Sequence, residues 1–173
     1  MFQAFYSAGP GQRSTRPQWM ALLARAPLPL LEQALAAHHR PERTEWLRKP
    51  ETGLTMLQGR AGGTGERFLL GEITVTRCAL RSTDAEGRPS AVGVAYVLGR
   101  NHRQATLAAL ADALLQDPAQ QAVLEGSLLD PIRHHLGQRA AERSARARAT
   151  QVDFFTVARE AGSDNDNDDE DAA

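Results

Sequence analysis

Four glycines fall within seven residues at Gly59-Arg60-Ala61-Gly62-Gly63-Thr64-Gly65, with arginines at Arg60, Arg67 and, further along, Arg77. Glycine has no Cβ, so the backbone N–H groups of such a loop stand open to close approach. Guanidinium groups make planar, bidentate contacts with phosphate and carboxylate. The combination suits a phosphate-rich ligand or an acidic surface on a partner. It also suits a plain hairpin turn with solvated arginines, which local chemistry alone favours, since glycine clusters between strands are usually turns. The loop is not a P-loop, because the Gly-Lys-Ser/Thr ending is missing, and Phe68-Leu69-Leu70 continues as strand where a dinucleotide fingerprint would open a helix. The candidates for phosphate or partner binding are therefore Arg60, Gly62, Gly63, Thr64, Gly65, Arg67 and Arg77.

Other reactive side chains carry weaker signals. Cys78 has no His or Asp at a telling spacing, and a strand interior suits an inert, buried thiol. His38-His39 and His134-His135 are adjacent pairs; neighbours on a helix point about 100° apart and chelate poorly. His102, at a strand-to-helix junction, is expected in solvent. Glu51, Glu66 and Glu72 lie near the loop and are expected to pair with arginines. No catalytic acid/base pair and no metal cluster emerges. Arginines at 133, 139, 143, 146 and 148 could meet nucleic acid, but Glu142 interrupts the run and no aromatics are interleaved for base stacking. A solvated or partner-docking helix face is the expectation.

The elements that must position these groups follow from pattern. Residues 1–15 read as a flexible N-terminal arm. Pro17 after Ser14-Thr15-Arg16 marks a helix start, and Trp19, Met20, Leu22, Leu23 and Ala26 form an apolar stripe. Pro27 and Pro29 break it, and a second helix runs from about Pro29 to His38. Short helices joined this way resemble a helix-turn-helix, but no recognition-helix pattern follows. Residues 43–50 read as a connector ending at Pro50. Strands are expected at 54–60, at 67–81 in two segments broken near Gly71, and at 91–98, joined by short turns and so antiparallel. On the second strand Ile73, Val75 and Arg77 share one face, and Thr74, Thr76 and Cys78 the other. Helices follow at 103–116 and from Pro118, capped by Asp117 and kinked or divided at Pro131. A last strand is expected at 151–157. The fold class is α+β: a small antiparallel sheet with helices mainly on one face. One domain spans 16–160, and 161–173 is a disordered acidic tail.

Composition agrees with a folded protein of 173 residues, 42% of them hydrophobic. No apolar run approaches the roughly 18 residues of a membrane span. Met1–Tyr6 lacks a charged region ahead of an apolar core, so no secretory signal is expected. The single cysteine excludes an internal disulfide and fits a cytoplasmic setting. The net charge of −1 hides a division. Six acids lie between Asp164 and Asp171; without them, 15 acids face 20 bases in residues 1–163, a net of about +5.

The glycine loop and its flanks also resemble a known family. The blocks are Arg16-Pro17-Gln18-Trp19-Met20, Trp46–Glu51, Gly53–Arg60, Gly62-Gly63-Thr64-Gly65, Leu70–Cys78, Tyr96–Arg100, Asp112–Gln116 and Val152–Thr156. In this order, over roughly residues 14–160, they resemble the PhnG family, the small G subunit of the carbon–phosphorus lyase core complex. The family pattern would place Asn beside Leu at Leu69-Leu70 and His near Val94, so a polar role at those two places is not carried over.

The resemblance implies a subunit required, with H-, I- and J-type partner subunits, for moving the ribose 5-triphosphate moiety of ATP onto an alkylphosphonate with release of adenine. It implies MgATP as substrate of the complex, no cofactor bound by this chain alone, and inactivity in isolation. Neither nucleic acid nor a membrane is an expected partner. A sheet with apolar residues on both faces needs cover from elsewhere, which agrees with a hetero-oligomer. The alternative is a stand-alone nucleotide-phosphate binding module built on Gly59–Gly65.

Overall fold

The computed structural model describes residues 13–38, 43–83, 87–89 and 91–152. Helix α1 (Arg16–Leu23) and helix α2 (Leu28–Leu35) come first. Strands β1 (Thr44–Arg60) and β2 (Arg67–Ser82) form a long antiparallel hairpin, and β3 (Gly93–Leu98) pairs with β2 on its other side. Helices α3 (His102–Leu115), α4 (Pro118–Leu124) and α5 (Asp130–Ala149) follow, α4 and α5 being joined by a π-helical stretch, Glu125–Leu129. The result is the expected α+β fold, with a three-stranded sheet among the described residues in the order β1-β2-β3.

The core is built around α3. Its Ala and Leu side chains are buried nearly all round, as in a helix enclosed on every side. It packs on β2 and β3 and against α1, α2 and α4. Cys78, Leu80, Ala95 and Val97 supply the sheet side of this core; Trp19, Leu22, Leu23, Leu31 and Leu35 supply the helix side. Gly93 is needed where β3 meets α3: a Cβ there would lie 1.9 Å from the Ala109 carbonyl oxygen. The opposite sheet face is open, with Tyr96 and Leu98 exposed on β3.

Local chemistry sets the ends. Gln18 Oε1 accepts from Thr15 N–H at 2.8 Å. Asn101 caps α3 by accepting from Gln104 N–H at 3.0 Å. Asp117 accepts from Ala119 N–H at 3.0 Å, with Pro118 as the first helical residue, as expected. Pro131 has no N–H for the turn before it. The chain answers with the wide π turn just ahead, keeping Leu128, Leu129 and Ile132 fully buried.

Several boundaries differ from expectation. Residues 44–50 are not a connector but the first part of β1, which runs through Pro50. β1 is an edge strand among the described residues, and its register slips between Trp46 and Arg48 and again between Arg48 and Glu51, so a proline without N–H is tolerated there. Strand β2 does not break near Gly71. It continues with a bulge, since Leu57 pairs with Gly71 and Gln58 with Leu69; Gly71 takes φ +137. Ser14, inside the expected arm, is buried at 3% exposure. Gln151 and Val152 carry no strand, and the rest of the expected last strand, 153–157, lies outside the described residues, as does the acidic tail.

Candidate functional site

The glycine loop is the tip of a β-ribbon. Strand β3 pairs with β2 only from Val75 to Leu80. Beyond Val75, β1 and β2 run on without a third strand among the described residues to Arg60 and Arg67, which pair with each other across the turn. Residues 61–63 form one 3-10 turn, with Gly62 at φ +58 and Gly63 at φ +80, a region that side chains with a Cβ disfavour. The N–H groups of Thr64 and Gly65 both donate to the Ala61 carbonyl, the latter at 2.8 Å. A Cβ on Gly65 would come within 2.7 Å of that same oxygen. Two of the loop's N–H groups are thus committed inside the turn and unavailable to an anion.

The arginines separate into two places. Arg60 and Arg67 sit opposite each other at the tip. Arg60 donates to the Gly65 carbonyl oxygen at 3.2 Å, and the Arg67 guanidinium meets no hydrogen-bond or ion-pair partner among the described residues. Like charges directly opposed across a strand pair repel. Arg77 lies ten positions further along β2, roughly 33 Å from the tip at about 3.3 Å per residue. There it belongs to an ion triad on the open face: Arg77 Nε donates to Glu51 Oε1 at 2.8 Å, and Arg48 Nη1 donates to the same oxygen at 2.6 Å. The hydrogen bonds from Arg77, then from Arg48, hold the Glu51 carboxyl below its ordinary range. Of the three glutamates expected near the loop, Glu51 lies instead at the base of the ribbon, where it makes the expected ion pairs.

A polar junction at the start of α3 was not legible in the sequence. Thr76, fully buried, donates to the Gly99 carbonyl at 2.6 Å and accepts from Asn101 N–H at 3.1 Å. Its hydroxyl lies 3.2 Å from that of Thr52, which in turn lies 3.0 Å from His102 Nε2. His102 is exposed as expected, but it is tied to β1. Only the strand register brings Thr52 opposite Thr76.

Cys78 donates to the Ala105 carbonyl at 3.1 Å, and burial pushes its thiol up to about 12. That is a protonated thiol at neutral pH, buried as expected for a strand interior. His134 lies on exposed α5 surface within 2.9 Å of Gln138. Among the described residues no group of three His, Cys, Asp or Glu could hold a metal ion. Nor is any described helix long and apolar enough to cross a membrane.

Fold and site together define a small α+β protein that carries a glycine-tipped β-ribbon away from its helical core. The chain belongs to the PhnG family: the family described as phosphonate metabolism protein PhnG matches residues 14–160. A relative from Rhizobium meliloti (strain 1021), an alpha-D-ribose 1-methylphosphonate 5-triphosphate synthase subunit PhnG, is 39% identical over 144 residues, covering 83% of this chain and 88% of the relative.

Proposed function

We propose that this chain is a subunit of an alpha-D-ribose 1-methylphosphonate 5-triphosphate synthase. With partner subunits of H, I and J type, it supports displacement of adenine from ATP by an alkylphosphonate. A phosphonate oxygen bonds to ribose C1, the bond from C1 to adenine breaks, and the 5′-triphosphate is retained. The observation that carries this reading is the 39% identity to the Rhizobium subunit over 83% of this chain and 88% of the relative. The chain's own inventory agrees with a helper rather than a catalytic role. Its one thiol is held protonated by burial, and Glu51 is engaged by two guanidinium groups. Arg60 and Arg67 at the tip, and Arg77 on the open face, are proposed to meet acidic surfaces of partners; the turn that closes on Ala61 leaves little of a phosphate cradle.

The test is co-expression with H-, I- and J-type subunits, followed by measurement of adenine release from MgATP and methylphosphonate. Adenine release is expected when all subunits are present and is lost when this chain is omitted. Tight ATP binding by the isolated chain, with no change in adenine release on omitting it, would favour a stand-alone nucleotide-binding module instead.

A further inference from the structure

The β-ribbon beyond Val75 carries apolar side chains on both of its faces. Leu54 and Met56 follow Thr52 on the face that, nearer the core, is covered by α3; Leu69, paired with Gln58, shares it. Leu57 lies on the other face with Phe68, which pairs with Gly59. Leu70 lies there too, its side chain 2.9 Å from where a Gly59 Cβ would stand. All six are exposed, Leu54 at 65% and Leu57, the least, at 41%. Divided between the two faces, they show in all on the order of several hundred Å² of apolar surface, comparable in sum with the largest patch a monomer commonly leaves bare. A two-stranded ribbon is also marginal in water on its own.

Resting on the subunit reading above, we infer that this ribbon inserts into a cleft of a partner subunit whose two walls are apolar and whose floor carries carboxylates. The two exposed faces call for two walls. A flat surface, or the open sheet face of a second copy of this chain, would cover one face and leave the other wet. The tip sets the floor. Arg60 and Arg67 are opposed without an ion-pair partner among the described residues, so acidic groups between them relieve their repulsion. The area fits as well, being a large share of the roughly 800 Å² that each partner contributes to a standard interface.

The experiment uses the full chain co-expressed with the H-, I- and J-type subunits and compares two double variants. Leu54→Asp with Met56→Asp charges one face; Leu57→Asp with Phe68→Asp charges the other. Each pair is expected to lower co-purification by tenfold or more, while the isolated variants keep the circular dichroism and melting temperature of the wild type. Amides of 54–57 and 68–73 in the wild-type chain are expected to gain protection from hydrogen exchange on assembly, which decides the matter even if a variant misfolds. Loss with one pair only would mean a single covered face and overturn the cleft. Equal protection in the isolated chain as a dimer would assign the ribbon to a second copy and overturn it too. Unchanged exchange in an assembled complex removes the ribbon from the interface while leaving the subunit reading intact. Failure of the wild-type chain to assemble at all overturns both.

Discussion

Arg16 and Asp112 stand 96 residues apart in the chain and meet at 2.7 Å, the Arg16 Nη2 donating to a fully buried Asp112 carboxylate. Trp19 Nε1 donates to the same carboxylate at 2.8 Å, and Val94 N–H at 2.9 Å. One aspartate on α3 thus ties down α1 and β3. The hydrogen bond to Asp112 in turn raises the Arg16 pKa above its ordinary value. Two separated blocks of the family pattern, Arg16–Met20 and Asp112–Gln116, have their physical reason in this junction.

Asp112→Ala leaves the Trp19 and Val94 N–H groups without their acceptor and Arg16 without its counter-ion. A loss of about 3 kcal/mol is expected, read as the shift in urea midpoint of the isolated chain. A change under about 0.5 kcal/mol would show that water replaces the carboxylate freely.

Gly93→Ala should destabilise strongly, because its Cβ meets backbone of α3 at Ala109 that cannot swing aside. Overpacking of this kind typically costs about 1–3 kcal/mol or more. Thermal melting of the variant checks it, with Gly137→Ala, where nothing lies within 4 Å of the new Cβ, as the comparison.

Stability should fall at acid pH in part through Glu125. Burial pushes its carboxyl up, but hydrogen bonds from the Ser14 hydroxyl at 2.7 Å and from Arg133 outweigh this and hold it below the ordinary 4.5. A carboxyl lowered in the folded state stabilises at pH above its unfolded value. That contribution disappears as pH falls through the lower folded value. Glu125→Gln should therefore flatten the decline in stability below pH 4.5. An unchanged acid limb would remove Glu125 from the account.

Cys78 should resist alkylation by iodoacetamide in the native chain at pH 8 and react once urea unfolds it, since the raised thiol is both protonated and buried. Labelling of the native chain at the rate of a free thiol would contradict this.

Replacing Arg60 and Arg67 together with Ala should weaken assembly by about tenfold or more at low salt, since it leaves the carboxylates of the cleft floor desolvated without counter-ions. Wild-type assembly should weaken as salt is added and the variant's much less, because the screened contacts are already gone. Parallel salt curves for the two chains would place these arginines outside the interface.

The residues themselves determined much of this protein. Gly62 and Gly63 marked a turn, Asp117-Pro118 a helix start, and alternation in 73–78 the two faces of β2. Each of these signals is local, resting on backbone freedom or on a period of two. The long first half of β1 was hidden because Pro50 forbids a ladder hydrogen bond in a central strand, and only the sheet order places β1 at an edge where that bond is not required. The roles of Asp112, Thr52 and Thr76 were equally hidden. Each takes its meaning from partners 18 or more residues away in the chain, which no local pattern encodes. Whether Arg60, Arg67 and Arg77 form one group was likewise undecidable from spacing. The hairpin register settles it, pairing Arg60 with Arg67 at the tip and sending Arg77 to Glu51 at the base, since strand direction and register are properties of the paired sheet rather than of either strand.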